Sequence, residues 1–425
     1  MAVDPAVRPI RLVFRDDDLD RNRLTVFFRL LLAIPHLVWV TLWGIAAFAV
    51  AFILWLAVLI QGETPESLHN FVAGYVRYST HVSAYVFLAA NPYPGFRGAP
   101  GYPVDVEIDS PTRQSRWTGF FRLLLAFPAL LLAGALGTGF AMGGSLGGAT
   151  YGAGAGATAA FLVWFAALVR GRAPRGLRDL IAYALGYGAE AAGYTLLLTG
   201  RYPNSDPALV EPGPELPDHL VRILVADELG RSRLTIIFRL LLAIPHFVWL
   251  LLWLVVVYVA VIVAWLIALV IGRVPAPLHR FLAAYVRYWT HVVAYVAVVG
   301  RTFPGFTGRE GSYGIDVEIA PLQSQSRWKT LFRFFLAVPA LFVASALGGV
   351  LWIVAFLGWW VALVRGRMPE GMRNLGASCL RYNAQTYAYL MLLSDRYPYA
   401  SPVLEGRPQP TVESPSPVAL AGDVF

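Results

Sequence analysis

Long apolar runs alternate with shorter mixed segments along this chain, and the order of parts is the same each time. Leu37 to Ile60 and Phe247 to Ile271 continue for more than 20 residues without a charge, long enough as helix to cross a hydrocarbon core of about 30 Å. The runs stop at Gly62, Gly171, Gly272 and Gly366, with Pro65, Pro174, Pro275 and Pro369 three residues on. Glycine then proline ends a helix, because glycine accepts the left-handed cap conformation and proline brings no backbone donor. Ahead of each run stands a short alternating segment, Arg11 to Phe14, Val104 to Ile108, Arg222 to Val225 or Ile315 to Ile319. Alternation with period two predicts a half-buried strand. Behind each run a second helix of about 25 residues, less uniformly apolar, closes on an aromatic-proline turn at Tyr93-Pro94, Tyr202-Pro203, Phe303-Pro304 or Tyr397-Pro398.

This order is an internal repeat. Arg23-Leu24-Thr25, the run Phe28 to His36, and His81 return 210 residues later as Arg233-Leu234-Thr235, Phe238 to His246, and His291. Two further copies align through Ser115-Arg116-Trp117 with Ser326-Arg327-Trp328 and through Pro128 with Pro339. The chain therefore divides into four tandem units, 1–98, 99–210, 211–308 and 309–398, with a Pro- and Ser-rich tail, 399–425, that carries no apolar period and reads as disordered. The second unit holds a glycine-rich insertion, roughly Gly137 to Gly156, which predicts a helix broken into two pieces.

Repetition constrains topology. If the strand and its Arg-containing entry turn start every unit on one side of a membrane, the crossings per unit are even. Two crossings per unit give an all-α polytopic membrane protein with about eight transmembrane helices, short cytoplasmic β-strands and two pseudo-symmetric halves. Most of the 34 basic residues fall on the strand side, which places both termini in the cytoplasm of a bacterial inner membrane. A hairpin within each long run, with three crossings per unit, ranks second.

Composition agrees with lipid as the solvent: 57% of residues are hydrophobic and 14% charged, against about 25% charged in soluble domains. Cys379 stands alone, which excludes an intrachain disulfide, a four-thiolate zinc site and a cysteine-ligated iron–sulfur cluster. The net charge of +8 is spread beside hydrophobic spans, so membrane lipids with anionic headgroups, and possible membrane-protein partners, are expected rather than nucleic acid. The mostly polar segment Met1 to Asp20 is unlike a secretory signal and is expected to be retained.

Candidate chemistry collects on the second helices. Arg77 and His81 are four residues apart and Tyr78 and Tyr85 seven apart, which places them on or near one face. Unit three repeats this with Arg287 and His291 and unit four with Arg381 and Gln385, whereas unit two has Gly186 and Glu190. A charge in hydrocarbon costs about 2.5 to 3.5 kcal/mol, so this intramembrane polar stripe needs a partner, a cavity or an interface. Hydrogen bonding between helices is the leading expectation, followed by a lipid headgroup or small anion, then a proton path through Glu190. His36 with His81, and His246 with His291, have a spacing compatible with haem. Ala129 and Ala340 replace the first histidine in the other units, so no cofactor is expected. Arg29, Arg122, Arg239 and Arg333 are expected as interface anchors, and Asp16-Asp17-Asp18 with Asp20 as a solvated acidic turn. No phosphate loop, HExxH pair or nucleophile elbow is present.

The recurring FFRLLLAIPH run, the Gly-Arg-x-Pro stop and the RY…AY…RYP second helix resemble the bacterial membrane family catalogued as domain of unknown function 4389. The resemblance extends nearly to Pro398 and is clearest in units one and three. It implies no activity, substrate or cofactor. The expectation is a non-enzymatic integral membrane scaffold or accessory protein, with a transporter or a lipid- or small-anion-binding protein as the alternative.

Overall fold

A computed structural model describes residues 8–15, 18–137, 154–207, 219–321 and 323–404. Most of the glycine-rich insertion, Asp16, Asp17 and the tail beyond 404 lie outside the described residues. Units one and two supply β1 (Ile10–Phe14), α1 (Arg23–Gln61), α2 (Glu66–Val86), β2 (Val104–Ile108), α3 (Arg116–Phe120), α4 (Arg122–Leu136), α5 (Ala155–Arg170) and α6 (Arg175–Thr195). Units three and four supply β3 (Val221–Val225), α7 (Arg233–Ile271), α8 (Ala276–Val296), β4 (Ile315–Ile319), α9 (Arg327–Arg365) and α10 (Glu370–Leu390).

The long helices α1, α7 and α9 have 39 residues each. Local chemistry sets their ends. The Asn22 side chain accepts hydrogen bonds from the Leu24 and Thr25 amides, satisfying orphan donors of the first turn. At the other end Gly62, at φ 75°, donates its amide to Val58 O, and Gly272 and Gly366 close α7 and α9 the same way. On α1 one stripe is buried, from Val26, Arg29, Ala33 and His36 through Ala47 to Val58, while Leu30, Ile45 and Ile60 are about two-thirds exposed. A spacing of three and four residues keeps such a stripe on one face. These three helices are long and apolar enough to cross a membrane. In unit two the helix is in three pieces rather than the two expected: α4 and α5 lie on either side of the insertion, and a further break at Phe121 separates α3 from α4.

The second helices differ from the expected transmembrane spans. Each is 21 residues long, rich in polar groups, and buried by protein on nearly every side: Tyr78, Ser79, Thr80, His81, Val82 and Ser83 of α2 are all buried. α2 packs against α6 and α8 against α10, the long helices cover one side, and α9 lies beside α4, α5 and α7. The strands cover the other side. β1 pairs antiparallel with β2, Leu12 opposite Val106, and β3 with β4, Ile223 opposite Val317. One ribbon thus joins units one and two and another joins units three and four, so the four predicted strands are not separate.

The four entry-turn arginines also depart from expectation. Arg29 is not at an interface but is 1% exposed on the second turn of α1. Its guanidinium donates to Tyr85 O (2.8 Å), Ala90 O (3.0 Å) and Asn91 O (3.3 Å), and lies 4.3 Å over the Tyr85 ring. Arg122, Arg239 and Arg333 lie in the same way over Tyr194, Tyr295 and Tyr389. The reason lies at the C-termini of the second helices. There Leu88, Leu197, Val298 and Leu392 adopt φ of 60 to 64°, a left-handed conformation that costs a non-glycine residue about 1 to 2 kcal/mol. The guanidinium adds charge-assisted bonds to the carbonyls of that turn, Ala90 O and Tyr85 O, the second of which also accepts the Leu88 amide.

Candidate functional site

The polar stripe lies between the second helices and the ribbons. In unit one His81 Nε2 is 2.8 Å from Asp105 Oδ1 on β2, and both residues are 1% exposed. The Val106 and Gly101 amides donate to the same carboxylate, each at 2.8 Å. Tyr102 stacks on the His81 ring with centroids 4.7 Å apart. Burial alone raises the Asp105 pKa, but the hydrogen bonds from His81, Gly101 and Val106 outweigh it and hold the carboxyl at about 2. Arg77 Nε donates to Val106 O at 3.0 Å and lies 3.8 Å from Asp105.

Unit three repeats the arrangement, with one added ion pair. His291 is 2.7 Å from Asp316, Tyr313 stacks on the histidine, and Arg287 Nε donates to Val317 O at 2.9 Å and through Nη2 to Glu310 at 2.8 Å. Asp316 is lowered in the same way, burial being outweighed by His291 and the backbone amides.

The even units use other chemistry at the same position. Glu190 is ion-paired with Arg8, just before β1, and accepts the Asn204 amide at 2.9 Å. Gln385 donates to Val221 O on β3 at 3.0 Å and accepts the Tyr399 amide at 3.0 Å. Gly186, where the other units have arginine, leaves room for β1: a Cβ there would stand 3.3 Å from Leu12 Cβ. Arg381 donates to the carbonyls of Tyr399, Ser401 and Val403. Residues 399–404 are therefore packed, with Ser401 1% exposed, and the expected tail begins later than 399. Among the described residues no strand follows unit four, and this segment supplies the carbonyls that β2 and β4 supply to Arg77 and Arg287.

The structure thus gives each of Arg77, His81, Glu190, Arg287, His291, Arg381 and Gln385 a partner outside its own helix, but not the arrangement expected from spacing. Arg77 and His81 face the ribbon, whereas Tyr78 and Tyr85 face α1: Tyr78 OH is 2.6 Å from His36 Nδ1, and Tyr85 lies under Arg29. His36 and His81 are consequently engaged on different sides of α2 and do not converge on a haem. Glu190 pairs with Arg8 and not with the arginine stripe. The acidic turn contributes Asp20, 3.1 Å from Arg172, and Asp18, which accepts the Asp20 amide at 2.8 Å.

Sequence reasoning missed Asp105 and Asp316 because each sits in a strand that already reads as alternating. Their signal is the Asp-Val-Glu-Ile repeat at Asp105 and Asp316, which places a carboxylate at the same strand position in both halves. The family model described as Domain of unknown function (DUF4389) matches residues 23–97, 233–307 and 327–401. These are three of the four units, and the second, with its insertion and Gly186, is not matched. No curated protein and no solved structure matches the chain.

Proposed function

We propose, for a chain that belongs to the family of the domain of unknown function DUF4389, the role of a membrane-seated scaffold without catalysis of its own. The occupancy of the polar layer carries this proposal. A residue that binds substrate or relays protons directs a free donor or acceptor into a cavity. Arg77, His81, Glu190, Arg287, His291, Arg381 and Gln385 instead direct theirs at strand carbonyls, turn amides and buried charges, so the stripe supports a role in fastening ribbons to helices. The cavity beside Glu190, lined by Arg8, Arg201 and Asn204, is about 20 Å³, room for an ordered water.

The outward faces of α1, α7 and α9 suit acyl chains, and the arginines at their ends suit anionic headgroups. A bacterial inner membrane with the ribbons and both termini on the cytoplasmic side fits the arginine-rich loops. Two like halves, each built on one ribbon, are supported by contacts that recur after 210 residues: His36 with Tyr78 at 2.6 Å, and His246 with Tyr288 at 2.7 Å. Lipids and other membrane proteins are the partners that suit such a body.

The test is purification in native-lipid nanodiscs, followed by absorption spectroscopy and mass spectrometry of co-purifying lipids and proteins. A scaffold yields a reproducible protein partner and no visible chromophore. A stoichiometric lipid or anion lost in Arg77→Gln, with thermal stability unchanged, would replace the scaffold with a binding or transport protein.

A further inference from the structure

Each half holds a charged ribbon across the middle of its two second helices. The β1–β2 ribbon meets α2 through Asp105 and Val106 O, and meets α6 through Ile10 and Leu12, against Gly193 and Gly186. On its outer face Arg11 and Arg15 pair with Glu107 at 2.8 and 3.2 Å, with side chains 37 to 44% exposed. Exposed charges on a ribbon are not tolerated in hydrocarbon, where a charged side chain must face a protein partner or a water-filled cavity. The ribbon is therefore in water, and so the midpoints of α2 and α6 cannot lie at mid-membrane depth.

Both ends of each long helix are tied to that same layer. Near its start, α1 is bound through Arg29 to the C-terminus of α2. At its finish, Gly62 O accepts from the Gln114 amide, and the Gln114 side chain donates to Leu197 O at the C-terminus of α6. The second half repeats the ties, Arg239 to Tyr295 O at one end, and Gly272 O with Gln325, whose side chain reaches Leu392 O, at the other. Between its ends α1 runs 39 residues, roughly 58 Å of helix, against a hydrocarbon core of about 30 Å. Large apolar side chains are exposed along all of it, from Leu24 to Ile60.

We infer that the chain is monotopic: its long helices lie along, or bow into, a single leaflet and return to the water face from which they started. The occupant of the apolar face is the acyl layer of that leaflet. Exposed Arg23, Arg273 and Arg327 stand at helix ends, and Trp117 and Trp328, next in the chain to Arg116 and Arg327, are 77% and 73% exposed; these are the residue types that settle among headgroups. This inference rests on the membrane seat proposed above and replaces the eight crossings that hydropathy suggests, under which the loop after each long helix faces the opposite side from the ribbon.

Single cysteines at three exposed sites decide between them: Ser110→Cys and Arg222→Cys beside or on the ribbons, and Arg273→Cys after α7, each in a Cys379→Ser background. Membrane-impermeant maleimide is applied to right-side-out and inside-out vesicles that have been washed in alkaline carbonate. Monotopic insertion requires all three sites to label from one vesicle orientation only. Labelling of Arg273→Cys from the side opposite to Arg222→Cys overturns it while leaving the membrane seat intact. Release of the protein into the carbonate supernatant overturns the membrane seat itself.

Discussion

Replacing Arg29 by methionine keeps an apolar stem of similar length and removes the guanidinium that closes α2. Two of its bonds are well formed, to Tyr85 O at 2.8 Å and Ala90 O at 3.0 Å, and those to Asn91 are long at 3.3 Å. Hydrogen bonds to a charged group contribute about 1.5 to 3 kcal/mol each, and the stacking on Tyr85 at 4.3 Å adds about 0.5 to 2 kcal/mol. Relief from burying the cation offsets part of this, because desolvating a charge costs several kcal/mol. The balance is a local loss of about 3 to 4 kcal/mol. It is concentrated at the end of α2, where Leu88 holds φ 64° and keeps only its amide bond to Tyr85 O and the Arg21 guanidinium on its carbonyl. Amide exchange by local opening follows that free energy, at about 1.4 kcal/mol per factor of ten. Mass spectrometry of the segment 84–98 should show exchange faster by two to three orders of magnitude in Arg29→Met. Arg23→Met, which removes an exposed arginine with one bond to Val169 O, should leave that segment unchanged. If exchange in Arg29→Met stays within threefold of the unaltered protein, the arginine does not cap the helix and the account of all four units fails.

Three further outcomes follow from the site geometry. Glu190→Gln should lower the melting temperature more than Glu370→Gln, since Glu190 holds Arg8 and the Asn204 amide in a buried place while Glu370 meets Arg373 at 3.5 Å on the surface; equal shifts would contradict a structural role for Glu190. Asp105 is held at about 2, below the ordinary value of about 3.9, so its contribution to stability is complete above pH 4 and lost as pH falls towards 2. Asp105→Asn should flatten the melting temperature over that window, and an unchanged acid limb would refute the assignment. In Gly308→Ala, at φ +59°, the new methyl would stand 2.0 Å from the Ala284 carbonyl oxygen, whereas Gly305 has nothing within 4 Å. Thermal melts should show a loss of about 3 kcal/mol or more for the first and almost none for the second.

What was legible in the sequence is what local chemistry determines. The ends of the long helices could be read from Gly62, Gly272 and Gly366 with their prolines, and the broken helix of unit two from its glycines. Strand pairing could not, because Leu12 meets Val106 across 94 residues of chain, and alternation names a face without naming a neighbour. The polar stripe was half legible. Spacing placed Arg77, Tyr78, His81 and Tyr85 near one face, yet neighbouring residues differ by about 100° around a helix, and that angle separates the ribbon side from the α1 side. The role of Arg29 left a numerical trace. Arginine and its tyrosine are 56 residues apart in Arg29–Tyr85, Arg239–Tyr295 and Arg333–Tyr389, and 72 apart in Arg122–Tyr194, where the glycine-rich insertion intervenes. A charge and an aromatic that keep their distance through a duplication are candidates for contact.

The alternation of histidine units with Glu190 and Gln385 follows from the ribbon's connectivity. An odd unit's second helix is followed in the chain by the strand that it grips, so His81 finds Asp105 and His291 finds Asp316 across a single connection, 87–103 or 297–314. Among the described residues an even unit's second helix is followed by no strand of its own half, and it grips the odd strand instead, whose side chains near the contact are aliphatic: Ile10 and Leu12 against α6. A histidine there would lack a carboxylate. The polar group must reach the strand's end, as Glu190 reaches Arg8, or the strand's backbone, as the Gln385 amide nitrogen reaches Val221 O, and in both cases a side-chain oxygen takes an amide 14 residues downstream, Asn204 or Tyr399. Placing histidine at residue 190 should therefore remove the carboxylate that Arg8 and the Asn204 amide share, leaving Arg8 only the long bond to Asp206 O, while His81→Gln should be the milder exchange, because glutamine can still donate to Asp105. The unequal chemistry of the four units is in this sense required by a fold in which two strands serve two helices.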